Sequence, residues 1–431
     1  MTTTRLVSTF SSVFLAVSLT TSLAGAQPAP AEATPDSSSE MTFGRRSARV
    51  EPQPAHPPGT ALPGTVPVTG RVGRARTMED VSESVTEEMT IRNLRWRYSL
   101  NFFGDISLGA TRPLAAGDPF GFSLGAQDLL IRGELSSHIT ATTEIALEPG
   151  DAGVTVDVER FAVRWQSAGY FVEAGRTHTA FGYWNNAYHH GRWLQPTIAR
   201  PRWVAFEDDG GILPVHWVGA GAGARLPAGG ATVNLQANVG NGRGQIVDDV
   251  RNAHDYQAMK AFLLSAEVVG LGVPELRAGI SAVYNKIPGF SDRPLLPPPP
   301  APPTPIGEYI LGAHLAYVNV PLLFIGEGYW VAHTALGHQF NTYGGFVLIG
   351  YAFGRTTPYI EVERIASKGV DPFFVRTDLG PPDSFNSLNG ILGVRVDLTD
   401  WTALKAEYRQ TREWDTDLTI YEGVLNWSWG F

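Results

Sequence analysis

From Leu94 to the final residue, Phe431, the side chains change character every second position, and no apolar run in this stretch is long enough to make a membrane helix. In the segment 95–108, Arg95, Arg97, Ser99, Asn101, Asp105 and Ser107 fall on one face of an extended chain. Trp96, Tyr98, Leu100, Phe102, Ile106 and Leu108 fall on the other, and only Phe103 interrupts the polar row. One face suits lipid and the other water, which is the signature of a membrane β-barrel. A soluble sandwich also alternates, with a core in place of lipid, so the connections have to decide.

Short connections fall near Ser136–Ser137, Ser167–Gly169, Pro227–Gly230, Gly270–Pro274, Asn319–Pro321, Gly354–Thr357 and Thr399–Thr402. Between them lie longer ones, near Thr111–Gly121, Glu148–Gly153, Gly182–Leu213, Asn241–Ala258, Ile287–Ile306, His333–His338, Ala366–Leu388 and Thr411–Asp417. Sorting by length in this way predicts an all-β fold: a transmembrane, antiparallel, up-and-down barrel of about sixteen strands with its short turns in the periplasm. The closing strand agrees. Tyr421, Leu425, Trp427, Trp429 and Phe431 share one face, and the terminal aromatic Phe431 is the expected signal to the barrel-assembly machinery.

The segment before the barrel reads differently. Arg5, the apolar stretch Val13–Leu23 and the small residues Ala24–Gly25–Ala26 predict a signal peptide over 1–26. Residues 27–90 are expected to form a disordered, Pro-rich periplasmic linker, because they carry too little apolar surface to offset the entropy of ordering. Met78, Val81, Val85 and Met89 sit at helical spacing within Thr77–Thr90, which predicts a short amphipathic helix. The barrel is expected over 91–431. The chain has no cysteine, so neither a lipid anchor on cysteine nor a disulfide framework is available. The implied location is the bacterial outer membrane.

The hairpin Arg160-Phe161-Ala162-Val163-Arg164-Trp165, a tight turn, then Phe171-Val172-Glu173-Ala174-Gly175-Arg176-Thr177-His178-Thr179-Ala180-Phe181-Gly182 resembles paired strands of the phosphate-selective porin O and P family. That family carries a similar Gly-basic-x-x-x-x-Phe-Gly run entering the third extracellular loop. The resemblance covers this hairpin and the overall strand plan. It implies a sixteen-stranded porin, a homotrimer, with the third loop folded inward. It does not carry phosphate selectivity, because the chain has only four lysines and no recognisable basic ladder.

The third loop, Gly182–Leu213, is the richest in chemistry. Its constriction candidates, with those of the preceding strand, are Arg176, His178, Tyr183, His189, His190, Arg192, Arg200, Arg202, Glu207, Asp208 and Asp209. Loops of this length in compact structures are functional or disordered, and the tryptophans argue for order. Folding inward would narrow the lumen. The next strand places Gly219, Gly221 and Gly223 on one face, which leaves room either for the loop backbone or for a second subunit.

Alternation also assigns lumen charges, among them Arg95, Arg97, Glu361, Glu363, Lys405, Glu407 and Arg409. Acidic candidates outnumber basic ones, which predicts a weak cation preference, although Lys405, Glu407 and Arg409 are also placed to pair with one another. The expected function is passive diffusion of small hydrophilic solutes or ions, with outer-membrane lipid and lipopolysaccharide as surroundings and no nucleic-acid partner. A structural or adhesive barrel, projecting the polyproline loop 297–303, is the alternative, and an outer-membrane hydrolase is a third. No Gly-x-Ser-x-Gly or His-Glu-x-x-His pattern occurs, so no enzyme is expected. Neighbouring histidines point apart, so no metal is expected either, and no cofactor.

Overall fold

The computed structural model describes residues 87–91, 94–112, 120–150, 153–189, 191–207, 209–247, 260–289, 305–374 and 386–431. The expected signal peptide, nearly all of the expected linker, His190, Asp208 and the polyproline loop therefore lie outside the described residues. The strands are β1 (Glu87–Ile91), β2 (Leu94–Arg112), β3 (Gly121–Leu124), β4 (Gln127–Glu134), β5 (Ile139–Gly150), β6 (Gly153–Ser167), β7 (Tyr170–His178), β8 (His216–Ala228) and β9 (Ala231–Gly240). They continue as β10 (Ala261–Val269), β11 (Leu276–Ile287), β12 (Ile306–Asn319), β13 (Leu322–Ala335), β14 (His338–Tyr351), β15 (Thr356–Lys368), β16 (Ser387–Asp397), β17 (Thr402–Glu413) and β18 (Leu418–Gly430).

Apart from β3 and β4, each strand pairs antiparallel with its chain neighbours, and β18 pairs with β2 to close the wall. β3 and β4 are two halves of one wall strand, both paired with β2. β1 is a hairpin arm folded on the start of β2, with Ile91 opposite Leu94. The wall thus has sixteen strands, as the alternation predicts. Closure removes every free sheet edge, which a structure in lipid requires.

The alternation is realised on the wall. Ser99, Asn101, Asp105 and Ser107 are buried inside, while Leu100 is half exposed outside. Leu311, Leu315, Val347, Ile349, Ile360, Leu392, Leu425 and Trp427 form part of the exposed outer belt. The main chain of Phe431 exchanges two hydrogen bonds with Phe102, at 2.7 and 3.0 Å, and their rings lie tilted at 42° with centroids 5.5 Å apart.

Three expectations are corrected. Residues 87–90, the end of the expected helix, are strand paired with β2, and 77–86 lie outside the described residues. The connections between β5 and β6, β13 and β14, and β17 and β18 are short, so loop length sorts the two ends less strictly than the sequence suggests. Gly219, Gly221 and Gly223 are not cleared for the third loop: a Cβ on any of them would meet β9, or the Phe171 ring of β7. Twisted neighbouring strands fill that space.

An outward Leu in mid-strand discriminates lipid from water. Leu392→Arg on β16 is expected to cost roughly 2–4 kcal/mol in denaturant unfolding from bilayers, against about 0.5 kcal/mol for a surface site in water.

Candidate functional site

The stretch between β7 and β8 lies inside the barrel. It opens with Gly182, at φ +67°, where a Cβ would run into the Glu327 carboxylate and the Tyr329 hydroxyl. The single helical turn that follows, α1 (Trp184–Ala187), has free N–H groups at its start. Glu327 of β13 accepts two of them, from Tyr183 at 3.1 Å and Trp184 at 2.6 Å.

The same device recurs around the wall. Asp128 of β4 accepts from the Gly191 N–H at 2.9 Å, and Glu407 of β17 accepts from Ile198 at 2.5 Å. Glu363 of β15 accepts from Trp203 at 3.1 Å. Asp105 of β2 accepts from the Arg192 guanidinium at 2.9 Å. Cations serve the opposite polarity. Lys405, 2% exposed, donates to the carbonyls of Arg192, Gln195 and Thr197 at 2.5, 2.7 and 3.0 Å. Arg395 of β16 donates to those of Trp193 and Gln195. Wall charges therefore satisfy the backbone of an irregular segment that could not otherwise be buried.

Aromatic packing does the rest. Trp203 lies 5.4 Å from Tyr329 and Trp184 lies 5.9 Å from Phe346, centroid to centroid. Phe103, the exception in the polar row of β2, stacks on Trp193 and touches Gly191, whose φ is +73°. The misfit in the sequence is thus a contact for the loop.

The lumen charges fall into place accordingly. Glu361, Glu363, Lys405 and Glu407 are buried beneath the loop rather than bathed by solvent, and Arg409 pairs with Glu407 at 2.6 Å. Arg97 is exposed and paired with Glu134 at 2.5 Å, and the side chain of Arg95 lies outside the described residues. Of the loop candidates, Arg200 is an internal strut: it donates to the carbonyls of Tyr188, His189 and Val204 and to Asn185 Oδ1. Burial lowers its pKa to about 10 against the pull of Glu207, Asp209, Glu159 and Glu327, so it stays charged at neutral pH. Arg202 is half-buried and Asp209 is exposed.

Glu207 holds the loop's exit, accepting from the Val215 N–H at 2.9 Å and facing His216 Nδ1 at 3.2 Å. Burial works to raise its pKa, but the charge and hydrogen bond of His216 and the backbone donors outweigh it, and the net shift is downward. Arg176 donates from Nε to the Glu159 carbonyl at 3.1 Å.

A cavity of about 840 Å³ remains on the other side of the barrel, bounded by strands from β4 to β12. Of the described constriction candidates only His178 and Tyr183 line it. Its charged lining is Arg132, Arg160, Arg164, Arg225 and Arg277 against Glu173 and Glu267. Counting charges from alternation alone missed this partition, because alternation cannot say which inward groups the loop will cover.

Glu159 was missed for a different reason. The register slips at Glu144/Ile145, where Arg160 pairs with Glu144 and Val158 with Ile145, so Glu159 is the extra residue of a β-bulge. Glu159 is buried and the following Arg160 is half-buried and lines the cavity. The sequence does carry the signal: the outward apolar positions change from Val154, Val156 and Val158 to Phe161, Val163 and Trp165. Two histidines that are not adjacent in sequence do come together. His189 meets His216, with Nε2 atoms 3.0 Å apart.

No family model matches the chain, and no curated protein matches it. Solved outer-membrane channels do match in fold. The anion-selective porin from Comamonas acidovorans is 14% identical with a TM-score of 0.53, over 78% of this chain and all (100%) of that one. The outer membrane channel DcaP of Acinetobacter baumannii is 8% identical with a TM-score of 0.53, over 80% and 99%. OmpF of Salmonella typhi is 11% identical with a TM-score of 0.50, over 80% and 100%. The fold, a closed antiparallel β-barrel of sixteen wall strands, is the one these channels share.

Two outcomes test the loop's anchoring. Lys405→Met removes the donor to the Arg192 and Thr197 carbonyls, while Arg395 still serves that of Gln195, and is expected to lower stability by roughly 2–4 kcal/mol in denaturant titrations. Because the Glu207 pKa is below its ordinary 4.5 in the folded state, its contribution is present above that value and lost as pH falls through the folded pKa. Melting temperature should fall with acidification below about pH 4.5, and Glu207→Gln should flatten part of that fall.

Proposed function

We propose that the protein is an outer-membrane porin for passive diffusion of small hydrophilic solutes and ions, narrowed by the inward-folded segment 182–213. The observation that carries the reading is the division of the lumen: one side packed by the loop, the other left as a cavity with a polar lining. An adhesive or structural barrel needs no such cavity, and a hydrolase needs a nucleophile that no motif supplies. Placement in the bacterial outer membrane, with the N-terminal segment in the periplasm, goes with this reading. Membership of the phosphate-selective O and P group rests on the 160–182 hairpin alone.

Ion preference follows from which charges face the path. The carboxylates that tip the whole inner surface to acidic are in large part turned to loop N–H groups or guanidiniums. Five arginines against two glutamates line the cavity, so the local potential there is positive. Arg160, Arg164 and Arg277 lie 3.0, 2.6 and 3.7 Å from Glu144, Glu173 and Glu267, which reduces that potential and leaves Arg132 and Arg225 to carry most of it. A modest anion preference replaces the cation preference expected from the sequence.

In planar bilayers with a salt gradient, the reversal potential should lie on the anion side. Arg225→Gln with Arg277→Gln should move it toward zero, and a cation-selective wild type would overturn the assignment. Deleting 183–209 should raise single-channel conductance severalfold, whereas an unchanged conductance would remove the constriction from the account.

A further inference from the structure

Where the loop leaves β7 and rejoins the wall at β8, three side chains from distant parts of the chain converge. Glu159 comes from the bulge in β6, His189 from just after α1, and His216 from the first position of β8. All are buried, at 3%, 0% and 2% exposure. One ligand atom from each lies within 4.8 Å of the other two. His216 Nε2 is 2.5 Å from Glu159 Oε2 and 3.0 Å from His189 Nε2.

The far side of each ring is already committed. His189 Nδ1 lies 2.8 Å from Asn185 Oδ1, and His216 Nδ1 lies 3.2 Å from Glu207 Oε2. Both acceptors are oxygens, so each Nδ1 donates to one and the two Nε2 atoms are left facing each other beside Glu159; without a metal, a proton on His216 Nε2 is held against the Glu159 carboxylate. Two lone pairs facing each other at 3.0 Å beside a carboxylate repel unless a proton or a metal cation lies between them. Oxygen acceptors behind metal-binding imidazoles are the usual way to fix ring orientation and tautomer.

We propose that Glu159, His189 and His216 form a binding site for one divalent transition-metal ion of the zinc class, which fastens the inward loop to the wall. Two imidazole nitrogens and one carboxylate oxygen are a donor set that such ions favour. Tetrahedral bonds of about 2.0–2.2 Å place donors roughly 3.4 Å apart, so both short pairs must open, the Glu159–His216 pair more than the His189–His216 pair, by side-chain adjustment. His178 lies flat on His189 with ring centroids 3.5 Å apart, and it also lines the cavity, so it borders the route to the site. Arg176 Nη2 stands 4.0 Å from Glu159 Oε2, and Arg200 is also close to this carboxylate. Their charge opposes the ion, so the donor set rather than an excess of negative charge must hold it.

The test uses the untagged full-length chain in detergent, stripped with chelator and titrated with Co²⁺. The expected result is one equivalent bound with visible d–d absorption, displaced by Zn²⁺. His189→Gln and His216→Gln should each abolish the absorption, Glu159→Gln should weaken binding by at least tenfold, and His138→Ala, at the exposed β4–β5 turn, should leave it intact. No stoichiometric binding by the wild type, or binding that survives His216→Gln, would overturn the site and identify the occupant as a proton. Heat-modifiable electrophoretic mobility reports whether each variant is folded. Should a variant not fold, Cu²⁺ bound to the wild type answers the same question by paramagnetic resonance: coupling to two imidazole nitrogens is expected, and coupling to none contradicts it.

Discussion

A long irregular segment inside a barrel brings its backbone N–H and C=O groups out of bulk water, and each group left unpaired there costs on the order of 1–3 kcal/mol. The rest of this structure depends on how that demand is met. Carboxylates on β4, β13, β15 and β17 accept from loop amides, and one buried lysine on β17 donates to three loop carbonyls. The groups are spaced around the circumference, so the loop is held from several sides rather than hinged at its ends. Tryptophans then fill the space between backbone and wall, making an apolar core where a porin lumen would be expected to hold water.

This anchoring divides the electrostatics of the lumen. Charges that hold the loop lie under it and act at short range on dipoles and guanidiniums, while the arginines opposite face the cavity. A count of inward charges treats both sets alike and reports an acidic interior. On the proposed pore reading, the second set is the one a solute would meet. The same loop brings two imidazoles and a bulged carboxylate together at its margin, where no single stretch of sequence holds more than one of them.

The wall was legible because its cause is local: a period of two, broken by turns, dictates both faces of every strand. The strand count and all seven short turns could be read in this way. The loop's inward course was legible from its tryptophans and the hairpin before it. What could not be read were the long-range pairings. Lys405 looks like a partner for Glu407 and Arg409 in sequence, yet its ammonium reaches carbonyls more than two hundred residues away. Two irregularities carried information that alternation treats as noise. Phe103 in a polar row marks a loop contact, and the phase change after Val158 marks the bulge that turns Glu159 inward.

Hydrogen–deuterium exchange on the folded barrel reads the anchoring directly. The amides of Tyr183, Trp184, Gly191, Ile198 and Trp203 each have a wall carboxylate as acceptor. The account predicts that they exchange as slowly as wall amides such as those of β12 and β13. Exchange of these five at the rate of an open surface loop, with the wall still protected, would contradict it.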